Sequence, residues 1–242
     1  MVERDLATIW VYLSTTPLTG LTVTLIAYSM GYRLYQYANS NPLLNPVVTA
    51  IVALIIFLEL TGVSYATYFE GAQFVHFLLG PATVALAIPL YQQCAKIRQR
   101  LLSLAITLVT GAIVGAGSSM GIAWLLGASI ETQLSLAPKS VTTPVAMGIS
   151  EQIGGLPSLT AVLVVATGII GAVMGTTLFK LLRIEDDAVK GVALGIAAHG
   201  MGTARAFQLN KEMGAFSGLA MALSALTTAL MLPWLLRLAG IL

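Results

Sequence analysis

The chain has 242 residues, 57% of them hydrophobic and only 9% charged, against about 25% charged in an ordinary soluble domain. With a mean hydropathy of +0.88, a water-facing surface would expose apolar patches far larger than soluble monomers tolerate, so a soluble globular protein is excluded and the solvent is lipid. The formal charge of +2, with no aromatic residues interleaved among basic runs, excludes nucleic acid as a partner.

Spans of about 20 residues each leave no room for a separate soluble domain, so residues 1–242 read as a single integral membrane domain. The first 17 residues, MVERDLATIWVYLSTTP, are acidic with a short apolar stretch, which predicts neither a secretory signal nor a transit peptide. Apolar stretches then run over 17–35, 42–61, 74–91, 101–126, 159–182, 189–206 and 215–242. The pattern predicts an all-α polytopic membrane protein with about seven spans plus re-entrant or discontinuous segments. Residues 62–73 read as a loop. Gly80, Pro81 and Pro89 lie inside the third stretch, where proline removes a helix hydrogen bond and clashes with the preceding turn, so that helix is expected to be broken. The loop that follows holds the lone Cys94, which has no partner for an internal disulfide.

Residues 136–150, LAPKSVTTPVAMGIS, are only moderately apolar and carry Lys139 between Pro138 and Pro144. They read as re-entrant, because irregular backbone at membrane depth must be buried in protein or line a cavity. Arg33, the Lys96/Arg98/Arg100 cluster and the Lys180/Arg183/Lys190 cluster should share the cytoplasmic side. The sequence leaves open whether 189–206 crosses the membrane or turns back.

An offset of 57 residues places Pro81, Thr83 and Val84 on Pro138, Ser140 and Val141, and Thr110-Gly111 on Thr167-Gly168. One crossing plus one half-inserted element would emerge inverted relative to its copy, as in many secondary transporters. Five GxxxG spacings, at Gly111/Gly115, Gly117/Gly121, Gly171/Gly175, Gly191/Gly195 and Gly214/Gly218, predict close helix packing within the bundle or at a homodimer face.

Charge inside a membrane is costly, which makes each intramembrane ionisable residue a functional candidate. Lys139 with Ser140, Thr142 and Thr143 supplies an ammonium and three hydroxyls beside two prolines, suited to a small carboxylate. In His199-Gly200-Met201-Gly202-Thr203-Ala204-Arg205 the glycines permit unusual backbone, His199 can exchange a proton near neutral pH, and Arg205 can grip a carboxylate bidentately. Thr83 joins the candidates through the repeat. Glu59 and Glu151 read as interfacial or solvated, and Glu212 as a solvated loop residue. Two histidines and one cysteine without an acidic cluster predict no metal site; no cofactor loop or catalytic constellation is present either, so no enzyme activity is expected.

Asn41-Pro42-Leu43-Leu44-Asn45-Pro46, FLLGPATVALAIPLY (77–91), PKSVTTPVAM (138–147), GGLPSLTAV (154–162), AAHGMGTARA (197–206) and GAFSGLAMAL (214–223) resemble the LrgB/CidB family over nearly the whole chain. The resemblance implies a multi-pass protein of the bacterial cytoplasmic membrane. Bacterial members are regulators of murein hydrolase activity and autolysis, often partnered with a small LrgA/CidA-like holin-like membrane protein. A plastid member is a glycolate/glycerate translocator, which implies transport of small 2-hydroxy or 2-keto monocarboxylates. Ala198 stands where many members have serine, and Val145 where isoleucine is common. The residues and the resemblance together predict a secondary transporter of glycolate, glycerate, pyruvate or lactate type, proton-coupled through His199. The alternative is a holin-like pore or regulator of murein hydrolase export.

Overall fold

A computed structural model of the chain describes residues 17–38, 41, 44–78, 81, 84–85 and 87–241. These residues form eleven helices and no strand. The chain divides into two compact units, residues 1–85 and 86–242. Gly80 and Thr83, two positions singled out by the sequence, lie outside the described residues.

The first unit contains α1 (Pro17–Tyr37), α2 (Pro46–Thr61) and α3 (Tyr65–Phe77). Asn45 opens α2 by accepting from the Val47 amide at 2.9 Å, with Pro46 in the first turn where its missing N–H is harmless. Gly20 lets α1 lie directly on the α3 backbone at Tyr68, whose hydroxyl is 2.7 Å from Thr24 Oγ1. Here the expected loop 62–73 is corrected, since helix α3 occupies most of it. Glu70, Gln73 and His76 lower its hydropathy, but a helix satisfies its own backbone bonds, and Ser64 Oγ starts it by accepting from the Thr67 amide at 3.2 Å.

The second unit begins with two short helices, α4 (Ala87–Gln92) and α5 (Cys94–Gln99). Cys94 therefore opens a short helix rather than lying in a loop, and it is exposed. Then follow α6 (Leu101–Leu125), α7 (Ile130–Leu136), α8 (Thr143–Gln152), α9 (Pro157–Leu181), α10 (Asp187–Leu209) and α11 (Lys211–Leu238). Helices α6, α9 and α11 are long and apolar enough to cross a membrane; 25 residues rise about 37 Å.

Ion pairs mark one end of this unit. Arg100 pairs with Asp186 at 2.8 Å and Lys96 with Glu212 at 2.7 Å, which gathers the starts of α6, α10 and α11. Glu212 is thus in the first turn of α11 with a cation partner, not in a solvated loop. It was hidden because Asn210, whose side chain accepts from the Glu212 amide at 2.7 Å, starts the helix earlier than the apolar run does.

Helix α10 breaks at His199, where φ is 39° and ψ is −124°. Its ends return to the same place, since Asn210 Nδ2 donates to Asp187 Oδ2 at 2.8 Å. The outgoing arm packs on α11 through Gly191 against Met213 and Phe216, then Gly195 against Ser217 and Ala220. The returning arm retraces that path, with Thr203 Oγ1 2.9 Å from Ser217 Oγ and Phe207 against Gly214. The segment is therefore a hairpin entering from the ionic end, with His199 and Gly200 at its tip, which decides between the two courses left open by the sequence.

Helices α7 and α8 form a second hairpin, around the turn 137–142. The turn reaches mid-length of α6, where Ser140 faces Gly115, and Ser119 Oγ donates to the Leu136 carbonyl at 3.3 Å. Its base is tied to the start of α9 by buried hydroxyls. The Leu156 amide donates to Ser135 Oγ at 2.8 Å, and Thr160 Oγ1 lies 2.7 Å from Ser150 Oγ and 3.0 Å from the Ser135 carbonyl. Ser135, Ser150 and Thr160 are fully buried. This hairpin enters from the end opposite to the ion pairs.

Of the GxxxG glycines, Gly111 meets Ile196, Gly171 meets Ala198 and Gly175 meets Leu194, so these pack inside the unit. Gly117 and Gly121 face open space on α6.

Candidate functional site

The two hairpin tips meet beside the middle of α9. His199 is only 5% exposed, and its Nε2 lies 3.1 Å from the Val164 carbonyl. Four residues on, Gly168 leaves the space that the imidazole fills: a Cβ there would come within 2.8 Å of His199 Cε1 and 3.0 Å of Met201 Sδ. Val164 also belongs to the apolar cluster that contains Val141 from the opposite tip, with Ala116 and Met120 of α6.

The Lys139 turn approaches from the other side. Pro138 and Val141 are fully buried and anchor it, while Lys139 is half-buried, its Nζ donating to Ser140 Oγ at 3.4 Å. Val141, two residues beyond Lys139, packs in the same apolar cluster as Val164, whose carbonyl faces His199. Thr142 holds the N-cap position of α8 without using its side chain as a cap, and Thr143 and Pro144 fill the first turn. A cation, hydroxyls and the amides of a helix start thus sit beside α9 near an imidazole, a set able to donate hydrogen bonds to a small anion.

The His199 backbone is part of the device. A non-glycine residue at such a φ costs about 1–3 kcal/mol and persists where surrounding structure enforces it. Ala198, fully buried against Gly171, and the Val164 contact supply that enforcement. Gly202 is packed against the Leu194 carbonyl and Ala198, so its missing side chain permits the fold-back, whereas Gly200 faces open space.

Not every candidate reaches the tips. Thr203 turns toward α11, and its hydroxyl is occupied by Ser217. Arg205 is buried on the returning arm, with Nη1 donating to Gln208 Oε1 at 3.3 Å; it lies six residues past the tip, about 9 Å along a helix. The fold therefore brings Lys139, Ser140, Thr142, Thr143, His199 and Gly200 together and sets Arg205 nearer the ionic end. Thr83 lies outside the described residues.

Sequence reasoning missed the Val164 carbonyl and the roles of Gly115 and Gly168. The available signal was a glycine at the centre of each of two long apolar helices, the second in the Thr167-Gly168 pair. Among the described residues, no group of three His, Cys, Asp or Glu side chains could hold a metal ion.

Three helices long and apolar enough to cross lipid, with no strand among the described residues, fit an all-α membrane protein. The family model described as LrgB-like matches residues 24–238, and the chain belongs to that family. It is 33% identical over 218 residues to the holin-like protein CidB of Staphylococcus epidermidis, covering 90% of this chain and 95% of that protein. It is 36% identical over 221 residues to YwbG of Bacillus subtilis, covering 90% and 97%. It is also 31% identical over 225 residues to the antiholin-like protein LrgB of Bacillus mycoides, covering 93% and 98%. No solved structure matches the chain.

Proposed function

We propose that this protein acts as its CidB and LrgB relatives are named to act, as a holin-like or antiholin-like protein. In this reading it is a multi-pass protein of the bacterial cytoplasmic membrane that tunes murein hydrolase activity and autolysis with a small LrgA/CidA-like partner. The support is the extent of the match, nine-tenths of this chain against nearly the whole of each relative. Deletion of its gene should change the rate of detergent-induced autolysis, and re-expression of the full chain should restore it. An unchanged rate in the deletion strain would remove this reading.

A second reading, secondary transport of small 2-hydroxy or 2-keto monocarboxylates, is favoured by one specific feature: two hairpin tips that meet beside α9. The repeated order of span then hairpin, entered from opposite ends, is that of inverted repeats, and the 57-residue offset that superposes Thr110-Gly111 on Thr167-Gly168 also carries Thr142 onto His199. Lys139 would offset the substrate charge, the hydroxyls of Ser140, Thr142 and Thr143 would orient it, and His199 would handle the coupled proton. We place the homodimer contact at Gly117 and Gly121, the GxxxG pair that faces open space.

Uptake of radiolabelled glycolate, glycerate, pyruvate and lactate into proteoliposomes separates the readings. Saturable flux lost in Lys139→Ala supports a carrier; unselective leakage of neutral solutes supports a pore; absence of both leaves regulation through the partner.

A further inference from the structure

Six described residues have positive φ. Four are glycines, Gly62, Gly127, Gly154 and Gly240, and the other two are His199 and Arg183. His199 belongs to the hairpin tip. Arg183, with φ 53°, follows the end of α9 in a position where glycine is preferred because it carries no Cβ penalty. The turn is closed by the Arg183 amide donating to the Lys180 carbonyl at 3.2 Å and the Ile184 amide to the Phe179 carbonyl at 2.9 Å. Those bonds occupy carbonyls at the helix end that would otherwise repel an anion.

Beside this turn lies a cavity of about 530 Å³. Its wall is apolar at Phe179, Leu209 and Met213, and Lys180, Arg183 and Lys190 supply its cations, against the carboxylates of Glu185 and Asp187. Lys190 is already paired with Asp187 at 2.9 Å. Among the described residues, Lys180 and Arg183 make no ion pair, unlike Lys96 and Arg100 at the same end. An apolar wall with three cations against two carboxylates, where a spanning helix leaves the membrane, fits an amphiphile with an anionic head.

We infer that this cavity binds the phosphate of an anionic phospholipid headgroup, with Arg183 and Lys180 on the phosphate and the acyl chains along the Phe179–Met213 wall. Arg183 gives a planar pair of donors matched to phosphate oxygens, which accounts for a bulky cation in a turn that glycine would form more easily. The site lies at the ionic end, away from both hairpin tips, and does not depend on what the tips pass.

The test uses the full chain purified in mild detergent, with lipid retention measured by native mass spectrometry and by the rise in unfolding temperature on adding phosphatidylglycerol or phosphatidylcholine. The wild-type chain should prefer phosphatidylglycerol. Arg183→Gly relieves the backbone and so keeps the fold, yet should weaken phosphatidylglycerol about fivefold, the effect of one interfacial cation. Arg183→Gly with Lys180→Ala should weaken it further, while Arg98→Ala, which removes a cation of the same end outside the cavity, should not. Equal retention of the two lipids, unchanged retention in Arg183→Gly, or an equal loss in Arg98→Ala would overturn the proposal. Soluble glycerol phosphate that displaces phosphatidylglycerol at millimolar concentration would assign the site to free phosphate and overturn the lipid headgroup.

Discussion

Asp187 and Asn210 are joined side chain to side chain at 2.8 Å across 23 residues of sequence. A helix of that length running straight would separate them by about 34 Å. The contact therefore requires the break at His199, and it brings both arms of α10 back to the ionic end.

Cysteines placed at Asp187 and Asn210, in a Cys94→Ser background, should be joined within one chain by a short bifunctional thiol reagent. A probe at Gly240 should label from the membrane face opposite to Asp187, because α11 crosses once after the hairpin. Labelling of both probes from one face would contradict the hairpin course.

Thr160→Val should destabilise the protein by about 1–3 kcal/mol, since it removes a buried hydroxyl that Ser150 Oγ and the Ser135 carbonyl face. Thr160→Ser, which keeps the hydroxyl, should retain most of the stability. Urea or thermal unfolding of the detergent-solubilised protein checks this, and equal stability of Thr160→Val would show that the hydroxyls bind no base to α9.

Gly168→Ala places a methyl against His199 and Met201. Overpacking of this kind typically costs about 1–3 kcal/mol, and the imidazole should shift away from the Val164 carbonyl. The matching change at Gly117, which meets open space, should be neutral in the monomer. Helix propensity favours alanine over glycine at both positions, so comparable losses at both would mean that contact with the tip does not decide the effect.

Lys139 and His199 should couple. In solute binding or flux, Lys139→Ala and His199→Gln should depart from additivity by about 0.5–3 kcal/mol, as neighbouring groups do, while Lys139→Ala and Arg205→Lys should be closer to additive. The reverse order would move the site toward Arg205.

Asp186 lies in the turn before α10, outside the spans. The Arg100 guanidinium, bonded at 2.8 Å, is the main cause that holds its carboxyl below the ordinary 3.8; partial desolvation opposes this, and the amides of Val189 and Ala188 add to it. A carboxyl depressed by folding supports the fold above its ordinary pKa and ceases to do so as pH falls through its folded value. Stability should therefore decline on acidification below about pH 4, and the decline should be shallower in Asp186→Asn. Identical acid profiles for the two proteins would show that the Arg100 pair contributes nothing measurable, as many exposed pairs do.

The interruptions were legible because proline and glycine act locally: Pro138 and Pro144 bracket the Lys139 turn, and Gly200 and Gly202 follow the break at His199. Which way the chain leaves such a break was not legible, since hydropathy is the same for an arm that crosses and one that returns. That information sits in one polar pair, Asp187 with Asn210, which has no sequence pattern. The helix over Tyr65–Phe77 was missed because its polar residues resemble a loop when only apolar runs are counted. The Ser135–Ser150–Thr160 cluster escaped for another reason: scattered hydroxyls in apolar helices usually bond to their own backbone, and only the fold shows that these meet each other. Arg205 was grouped with His199 by nearness in sequence, whereas a returning arm carries it away from the tip.

Gly191 and Gly195 set the α10 arm directly on the carbonyls of Met213 and Ser217. Contacts between side chains can slacken by degrees as rotamers change. Backbone laid on backbone has no rotamers to exchange, so the arm and α11 come apart all at once or stay latched.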